Sequence, residues 1–521
     1  MVREVQELTQ KDVLLHSFFD FGKDAFGTLE IELTTSFPAN VEVVIGEIAR
    51  DGKIIHTAGY RTFIQKVIQT GSGHQVIRID IPKFIPAFGG FPHCHAPAEA
   101  GGEIAPFRYV EVNRTYGDIT VRRTAFFNDW DDNASDFNSS DPDLNKIWEF
   151  CKYSIKAATV FDKYVDGERE RLPYEGDAVI NQLGHFCSGT NFEIARRTID
   201  HFFEFGKFTW PVEWLLLTPM LIRDYIFYSG DTAILQKYLP LLEEKLLLDC
   251  RDENGLLNRT VYKTARPGSR INDLIDWPMS ERDNYVVGDV NFVPNAYLYG
   301  MLNILAGLTG NEKYSVLAET LRSAIRQHLL KSGRFVDSSG SEHTSLHTAV
   351  FALAFDLAEG EEIEFCRQLI LEKEMACSVY AAQFLLEVCF RCGMADHGVK
   401  LMTSKSDRSW FNMLREGATI TMESWGDKWK PNQDWNHAWG AAPANIIPRM
   451  LAGIRPAAPG FARFTVDPRP GTIESFTLRH PTIHGEIKLL WSKEKKVLTV
   501  PENTQALYKG KTLPPGTHEL D

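Results

Sequence analysis

The sequence predicts a multidomain α plus β protein in which a helical toroid lies between an N-terminal β-sandwich and a small C-terminal β-domain. Two observations predict this fold class. Apolar residues alternate with polar ones near both ends of the chain, and they recur with a helical period between those ends. A chain of 521 residues also exceeds what one hydrophobic core usually holds. The expected domains are a β-sandwich over 1–135, the helical domain over 136–455 and a β-sheet domain over 456–521.

The two terminal regions are predicted to be β-structure because short alternating runs are divided there by Gly, Pro and Asp. In the N-terminal region such runs are typical of an antiparallel sandwich. A polar stretch over 128–143 follows that region and is interpreted as a linker. The clearest predicted strands are 27–33, 76–81, 107–112, 119–123, 464–466, 485–491 and 496–500.

The middle region carries about a dozen amphipathic segments up to residue 453, often separated by Gly or Pro. That number over about three hundred residues favours six helical hairpins closed into a ring, an (α/α)6 toroid, over a bundle. A solenoid is disfavoured because no repeat of fixed period is evident. Examples of predicted helices are 192–205, 214–228, 232–248, 291–308, 312–329, 344–357 and 379–391.

The composition argues against several classes of partner. The formal net charge is −13 and the chain has no Lys/Arg cluster, so neither nucleic acid nor an anionic membrane is expected. A neutral small molecule fits better. Aromatic residues make up 12% of the chain, including 11 Trp, and such rings stack against sugars, although most of them will be core.

Cofactors and membrane segments are not expected either. No Walker loop, dinucleotide fingerprint or metal-ligand set at a recognised spacing is present, and the eight cysteines are interpreted as buried thiols. The N-terminus lacks the apolar core of a secretory signal, and no apolar run reaches the length of a membrane span. We therefore expect a soluble cytoplasmic protein, with the periplasm as the alternative if a signal was removed. A homodimer is expected from the prevalence of such assemblies.

The densest polar cluster, residues 166–177, contains five carboxylates and two arginines. A solvated loop would have the same charge, because charge runs are usually exposed. A second cluster spans 419–426 and 434–440 and combines Glu423 with His437 and several Trp. Burying an isolated carboxylate is expensive, so Glu423 indicates a functional pocket or an exposed rim. Two separate acidic motifs flanked by aromatics are what cleavage of a glycosidic bond by paired carboxylates requires.

Both clusters resemble the α-L-rhamnosidases of glycoside hydrolase family 78, over about residues 105–470. The family's acidic stretch reads roughly Asp-x(4–5)-Glu-Arg-x-x-Trp-x-Gly-Asp, and its later blocks include a Thr-x-Trp-Glu segment and an Asn-His pair. Two departures put the substrate preference in question, since Tyr174 replaces the family's Trp and Met422 replaces an aromatic residue. The matching residues here are Asp166, Glu170, Arg171, Tyr174, Gly176, Asp177, Thr421, Glu423, Asn436, His437, Ala452-Gly453-Ile454 and Pro459-Gly460-Phe461.

The resemblance implies an inverting glycosidase that removes terminal α-L-rhamnose, with Glu170 as general acid and Glu423 as general base. We expect burial and repulsion from Asp166 or Asp177 to raise the pKa of Glu170. Because only one sandwich precedes the toroid, small glycosides or oligosaccharides are the expected substrates. The residues expected to bind substrate are Asp166, Arg169, Arg171, Tyr174, Asp177, Trp214, Trp277, Trp425 and His437.

Several of these roles have structural alternatives. Asp166 and Asp177 could form salt bridges alone, and Trp214, Trp425 and Trp439 fit a core position equally well. Glu213, beside Trp214, is a further candidate for the pocket. For the whole protein, the alternatives are an (α/α)6 glycosidase that acts on another sugar, such as a uronic acid or glucoside, and a catalytically silent sugar-binding relative.

Overall fold

The structure is a computed structural model that describes residues 1–56, 61–86, 92–205 and 210–521. The predicted fold class is confirmed: an N-terminal sheet domain precedes a helical region, and small sheets follow it. Within these ranges, no helix combines the length and the apolar character needed to cross a membrane. Seven of the eight cysteines are buried free thiols, and Cys392 is partly exposed.

The N-terminal domain is a strongly curled sheet with the strand order β5-β2-β7-β1-β6. The predicted strands 107–112 and 119–123 are two parts of the single long strand β7. Its second half pairs along both edges with β1, with residues 2–10 on one side and residues 27–33 on the other. This double pairing encloses an apolar core that includes Leu29, Val43 and Val121. The strands are β1 Val2–Thr35, β2 Ala39–Gly46, β3 Ala49–Arg50, β4 Lys53–Ile54, β5 Phe63–Thr70, β6 Gly73–Arg78 and β7 Ala105–Phe127.

The polar stretch 128–143 is more ordered than a linker. Residues Asp136–Ser139 form the strand β8, which pairs with a strand of the C-terminal domain. The stretch also starts the first helix, where the Asp141 carboxylate accepts from the N–H groups of Asp143 and Leu144 and Pro142 occupies the first turn. The interpretation as a linker was therefore wrong for these residues, because the apolar Phe137 packs into the core.

The helical region alternates between fully buried helices and helices with one exposed face. Every residue of α2 (Glu175–Phe186) is buried and α10 (Leu346–Ala354) is buried along nearly its whole length. In contrast, α9 (Glu312–Leu329) and α11 (Glu361–Lys373) expose a polar face. The predicted helix 214–228 is divided at Leu217 into two helices, because Pro219 lacks the N–H that would continue the first.

The helices are α1 Pro142–Ala158, α2 Glu175–Phe186, α3 Glu193–Glu204, α4 Val212–Leu216, α5 Thr218–Ser229, α6 Ala233–Lys245, α7 Arg259–Ala265, α8 Phe292–Thr309, α9 Glu312–Leu329, α10 Leu346–Ala354, α11 Glu361–Lys373, α12 Ala381–Arg391, α13 Ala395–Met402, α14 Trp410–Glu416 and α15 Pro443–Ile446, which continues as the π-helix Ile447–Leu451. A short hairpin, β9 Leu330–Lys331 and β10 Arg334–Phe335, follows α9.

The C-terminal region forms two small sheets with the orders β18-β15-β14-β13-β8 and β11-β12-β16-β17. The predicted strands 485–491 and 496–500 match β14 and β15 in full. These strands are β11 Ile454–Pro456, β12 Arg463–Val466, β13 Phe476–Thr482, β14 Gly485–Trp491, β15 Lys496–Val500, β16 Gln505–Tyr508, β17 Lys511–Leu513 and β18 Gly516–Glu519.

The buried helices give the toroid two different ends. The acidic stretch 166–177 leads into the start of α2, and residues 378–380 lead into the start of α12, so both lie at one end, called here the cleft end. Later residues of the same helices, including Leu183 and Glu387, line a cavity of about 550 Å³ at the other end, called here the distal end.

Candidate active site

The acidic stretch 166–177 forms a tight, buried loop between α1 and α2. Asp166 closes the loop, because its N–H donates to the Leu172 carbonyl at 3.0 Å and its carboxylate accepts from the Leu172 N–H at 2.9 Å. Asp166, Glu168 and Asp177 are each no more than 3% exposed. The interpretation of this charge run as a solvated loop is therefore wrong.

Glu170 reaches the cleft end with its carboxylate between two donors. Tyr174 donates its hydroxyl to Oε2 at 2.7 Å, and Arg169 Nη2 lies 3.2 Å from Oε1. Burial raises the pKa of Glu170, and the charges of Asp434 and Glu423 raise it further. Arg169 and Tyr174 oppose this, but the pKa remains above its ordinary value. Glu170 is therefore suited to keep a proton.

Glu423 is almost completely buried and is surrounded by donors. Arg169 Nη2 lies 3.0 Å from Oε1, Lys430 Nζ lies 3.2 Å from Oε2, and the Asp434 N–H donates to Oε2 at 3.1 Å. Burial alone would raise the pKa of Glu423, but the positive charges of Arg169, His437 and Lys430 outweigh it and lower the pKa. Glu423 is therefore suited to remain ionised.

Arg169 bridges the two carboxylates through a single nitrogen. Arg169 Nη2 lies 3.0 Å from Glu423 Oε1 and 3.2 Å from Glu170 Oε1. The distance between these two carboxylate oxygens therefore cannot exceed the sum of the two contacts. This upper limit for the two nearest oxygens lies below the roughly 6.5–9.5 Å that separates the carboxyl groups of inverting glycosidases.

His437 lies between two aspartates, with Nε2 2.7 Å from Asp177 Oδ1 and Nδ1 3.8 Å from Asp434 Oδ2. Burial would lower the pKa of His437, but Asp177, Asp434 and Glu423 together raise it to about 10. The ring is therefore a cation at neutral pH. Asp177 Oδ2, Asp434 Oδ2 and His437 Nδ1 are buried, and none has a hydrogen-bond partner within the described residues.

Gly167 allows the two acidic clusters to approach each other. A Cβ at this position would lie 2.9 Å from Asp434 Oδ2 and 3.1 Å from Asn436 Oδ1, closer than ordinary contact. The Arg169 N–H donates to Asp434 Oδ1 at 3.0 Å across the same junction. The absence of a side chain at Gly167 thus brings the segment 434–437 against the acidic loop.

An aromatic wall follows the cleft end. Ring centroids are 5.3 Å apart between Tyr174 and Trp214, 6.3 Å between Trp214 and Trp210, and 6.3 Å between Trp210 and Trp277. Tyr174, Trp210 and Trp277 are partly exposed, whereas Trp214 is buried behind them. Trp439 packs farther back, with its centroid 6.3 Å from that of Trp214. The wall presents apolar faces next to the paired carboxylates.

Three residues considered for the pocket lie elsewhere. The Arg171 side chain is fully buried and pairs with the Glu168 carboxylate, so it does not face the cleft although its backbone belongs to the acidic loop. Trp425 is also fully buried, and its indole N–H donates to the Cys377 carbonyl at 2.7 Å. Glu213 is buried behind the wall, where its carboxylate accepts from the N–H groups of Leu274 and Ile275.

The structure also adds residues that the sequence analysis did not single out. Asp434 stands in the quoted second cluster, three residues before His437, and that spacing was the available signal. Trp210 is four residues before Trp214, but it precedes α4, so helical spacing gave no signal for it. Lys430 gave no signal, because a lysine near a tryptophan-rich loop is ordinary.

A metal ion has one candidate position among the described residues. Glu423, Asp434 and His437 each offer one ligand atom, and these atoms lie within 4.8 Å of one another. However, Arg169 and Lys430 already lie against the two oxygens of Glu423. His437 is also protonated, which removes its lone pair as a ligand. The donor set therefore fits a metal poorly.

Comparison with known proteins identifies two family domains. A sequence model of the bacterial alpha-L-rhamnosidase six-hairpin glycosidase domain matches residues 132–451. A model of the bacterial alpha-L-rhamnosidase C-terminal domain matches residues 453–511.

Two curated relatives are similar over most of the chain. An alpha-L-rhamnosidase from Formosa agariphila is 27% identical over 453 residues, which cover 77% of this chain and 47% of that protein. An alpha-L-rhamnosidase from an Alteromonas species is 23% identical over 572 residues, which cover 97% of this chain and 57% of that protein. The chain therefore spans about half the length of the curated relatives it matches.

Solved structures share the fold. The alpha-L-rhamnosidase of Streptomyces avermitilis in complex with L-rhamnose superposes with a TM-score of 0.74 at 17% identity, covering 97% of this chain and 50% of that one. A GH78 rhamnosidase from a Bacillus species gives a TM-score of 0.73 at 18% identity, covering 93% and 51%. Since the glycosidase-domain model covers more than half of the sequence, the chain belongs to the bacterial α-L-rhamnosidase six-hairpin glycosidase family.

Proposed function

We propose that this protein is an inverting glycoside hydrolase that removes terminal α-L-rhamnose from small glycosides or oligosaccharides. One observation carries the proposal: Glu170 and Glu423 contact the same Arg169 nitrogen, yet the pKa of Glu170 is raised and that of Glu423 is lowered. A pair of carboxyl groups with opposite protonation states is what acid–base cleavage of a glycoside needs. The rhamnose assignment is supported by the two curated relatives named alpha-L-rhamnosidase.

In this mechanism Glu170 is the general acid. Its proton passes to the glycosidic oxygen as the bond to the anomeric carbon breaks, so the aglycone leaves as a neutral alcohol. Tyr174 donates to Oε2, which leaves Oε1 as the oxygen that faces the leaving group. The Tyr174 hydroxyl, which donates to Oε2, stabilises the carboxylate that forms after the proton has been transferred.

Glu423 is the general base in the same step. It removes a proton from a water that attacks the anomeric carbon from the opposite face, so the configuration inverts. Arg169 and Lys430 keep Glu423 ionised before the reaction. We propose that the entering substrate and water displace the Arg169 guanidinium from between the two carboxylates, which opens the separation that inversion requires.

The remaining cleft residues would bind the sugar. Hydroxyl groups would pair with the unpartnered atoms Asp177 Oδ2 and Asp434 Oδ2, since buried polar atoms without partners are costly. The 6-methyl group of rhamnose would contact the partly exposed rings of Trp210 and Trp277, which give it an apolar surface. His437 would hold these carboxylates in place.

The experiment that tests the proposal compares hydrolysis of p-nitrophenyl α-L-rhamnopyranoside with that of p-nitrophenyl glucosides and glucuronides. We expect turnover of the rhamnoside and at least about 100-fold less turnover of the glucosides and glucuronides. Preferred cleavage of a glucuronide would assign Arg169 to the carboxylate of a uronic acid and overturn the rhamnose assignment. Sugar binding without turnover of any glycoside would make the protein a catalytically silent relative.

A further inference from the structure

We infer that Glu168 is a positioning residue for the active-site loop and that the N-terminal sheet domain holds it in place. The inference rests on the proposed function for its catalytic meaning. Glu168 immediately precedes Arg169 and Glu170, but its side chain points away from the cleft end, into the junction with the N-terminal domain. It is completely buried, so each of its contacts is made with protein.

The Glu168 carboxylate is held by two guanidinium groups. Arg61, from the N-terminal domain, donates from Nε to Oε1 at 2.6 Å. Arg171 donates from Nε to Oε2 at 2.8 Å and from Nη2 to Oε1 at 3.0 Å. A carboxylate that accepts three charge-assisted bonds in a buried site has little freedom to move. Glu168 thereby ties the loop to Arg61.

A second set of contacts reaches the N-terminal domain through Arg171. Its Nη1 donates to Glu103 Oε1 at 2.9 Å, and its Nη2 donates to the Ile104 carbonyl at 3.0 Å. The Arg171 carbonyl accepts from the Cys94 N–H at 2.8 Å. All three partners lie outside the toroid, between β6 and the first residue of β7. The junction thus contains two arginines, Arg61 and Arg171, and two glutamates, Glu103 and Glu168, so its formal charges cancel.

A third contact links the same loop to Glu47. The Glu168 N–H donates to Asn436 Oδ1 at 2.8 Å, and Asn436 Nδ2 donates to Glu47 Oε1 at 2.8 Å. Glu47 follows strand β2, whereas Asn436 stands between Trp435 and His437, whose ring contacts Asp177. The N-terminal domain therefore touches both segments that form the cleft end.

The backbone of the loop shows why external support matters. Arg171 has φ of 50°, in the left-handed region that a residue with a side chain occupies at an energetic cost. Such a conformation persists where surrounding contacts determine it. Here the Cys94 and Glu103 contacts hold Arg171, and Glu170 is the next residue toward the cleft. Loss of these contacts would move Glu170 relative to Glu423.

The test begins with hydrogen–deuterium exchange of the full-length protein, which requires no activity. Arg61→Met removes one bond to Glu168, and Glu103→Gln weakens the hold on Arg171. We expect amides in 166–177 to exchange about tenfold faster in each, the factor for losing about one charge-assisted bond. The matched control is Glu7→Gln, which removes a similar pair, Glu7 with Arg122, on the exposed face of the same domain.

Kinetics of the same variants test the catalytic meaning. A displaced acid should lower kcat about 10–100-fold with little change in KM, because a shift of about 1 Å costs up to that factor. Arg61→Lys, which keeps the charge, should recover part of kcat, and Glu7→Gln should match the wild type. Glu168→Gln is a harsher variant, and its fold is checked by circular dichroism before it is compared.

Each outcome decides the inference. Faster exchange in 166–177 with reduced kcat supports it. Unchanged exchange in Arg61→Met and Glu103→Gln overturns it, as does faster exchange with wild-type kcat. If wild-type protein cleaves no rhamnoside but the variants still loosen 166–177, the positioning by the N-terminal domain stands and the proposed function fails.

Discussion

The two ends of the toroid both contain buried charges, but they differ in balance. At the distal end, Glu387 pairs with Arg449 at 2.6 Å, and Gln383 and Asn445 exchange two amide hydrogen bonds. Burial alone would raise the pKa of Glu387, but Arg449 lowers it overall. The Glu387 carboxylate therefore has a counter-charge that favours its ionised form.

The cleft end has more carboxylates than cations. Three cations, Arg169, Lys430 and His437, stand among five carboxylates. Because several of these carboxylates are buried close to one another, burial and mutual repulsion favour their protonated forms. The pKa of Asp166, Glu170 and Asp177 is raised, first by burial. The difference teaches that paired buried charge builds the scaffold, whereas unbalanced buried charge supplies exchangeable protons. The five carboxylates are Asp166, Glu170, Asp177, Glu423 and Asp434.

The largest expected effect is on turnover. Glu423→Gln should lower kcat about 10²–10⁴-fold, because the amide cannot accept the proton of the attacking water. Glu387→Gln, the matched change at the distal end, should leave kcat near the wild-type value. Steady-state kinetics on a rhamnoside measure both. Equal losses in the two variants would remove the distinction between the two ends.

The next-largest effect is on the free energy of unfolding. Here the change at the distal end, not the one at the cleft end, should have the larger effect. Glu387→Ala leaves Arg449 buried without its counter-charge, which typically costs about 3–5 kcal/mol. We expect a correspondingly lower free energy of unfolding in urea, with activity retained below the transition. Glu193→Ala serves as a control, because its partner Arg197 is 47% exposed. A loss of similar size in that variant would argue against a special role for the buried pair.

A smaller effect is expected from the aromatic wall. Trp277→Ala should raise KM about tenfold with a modest change in kcat, since it removes an apolar face that binds ground state and transition state alike. Trp491→Ala, on the C-terminal sheet, is the control for the loss of a partly buried indole. A fall in kcat at unchanged KM would assign Trp277 to the transition state instead.

The smallest effect concerns pH. The acid limb of kcat/KM reports Glu423 in the free enzyme, where it must be ionised, and the pKa of this carboxyl is lowered partly by Lys430. Lys430→Met should therefore raise that pKa, and the acid limb of kcat/KM, which reports the free enzyme, should move upward by about one pH unit or less. Lys428→Met is the neighbouring control, because that side chain is 71% exposed. If the acid limb does not move, Arg169 and His437 are sufficient to keep the pKa of Glu423 low.

Much of the fold could be predicted from the sequence, because apolar periodicity directly reports which faces are buried. The strand 485–491 and the helix 312–329 are examples whose bounds agree with the structure. The strand 136–139 was missed, since a short polar segment gains its strand partner only from residues more than three hundred positions later. Long-range pairing of this kind leaves no local pattern.

The candidate site was predictable where chemistry is tied to a motif. Glu170 and Glu423 lie against one Arg169 nitrogen, which is the proximity that the paired-carboxylate hypothesis predicts. Arg171 shows the limit, because the same motif that suggests a pocket residue cannot reveal which way the side chain points. That direction depends on Glu103 and Ile104, which belong to another domain.

The central claim is that Glu170 gives a proton and Glu423 takes one, and leaving-group dependence tests it most directly. We would measure kcat/KM of wild type, Glu170→Gln and Glu423→Gln on an aryl rhamnoside with a good leaving group and on an alkyl rhamnoside with a poor one. The account predicts that Glu170→Gln loses far more activity on the alkyl substrate, whereas Glu423→Gln loses about the same factor on both. Equal losses for Glu170→Gln on the two substrates would contradict its role as the acid.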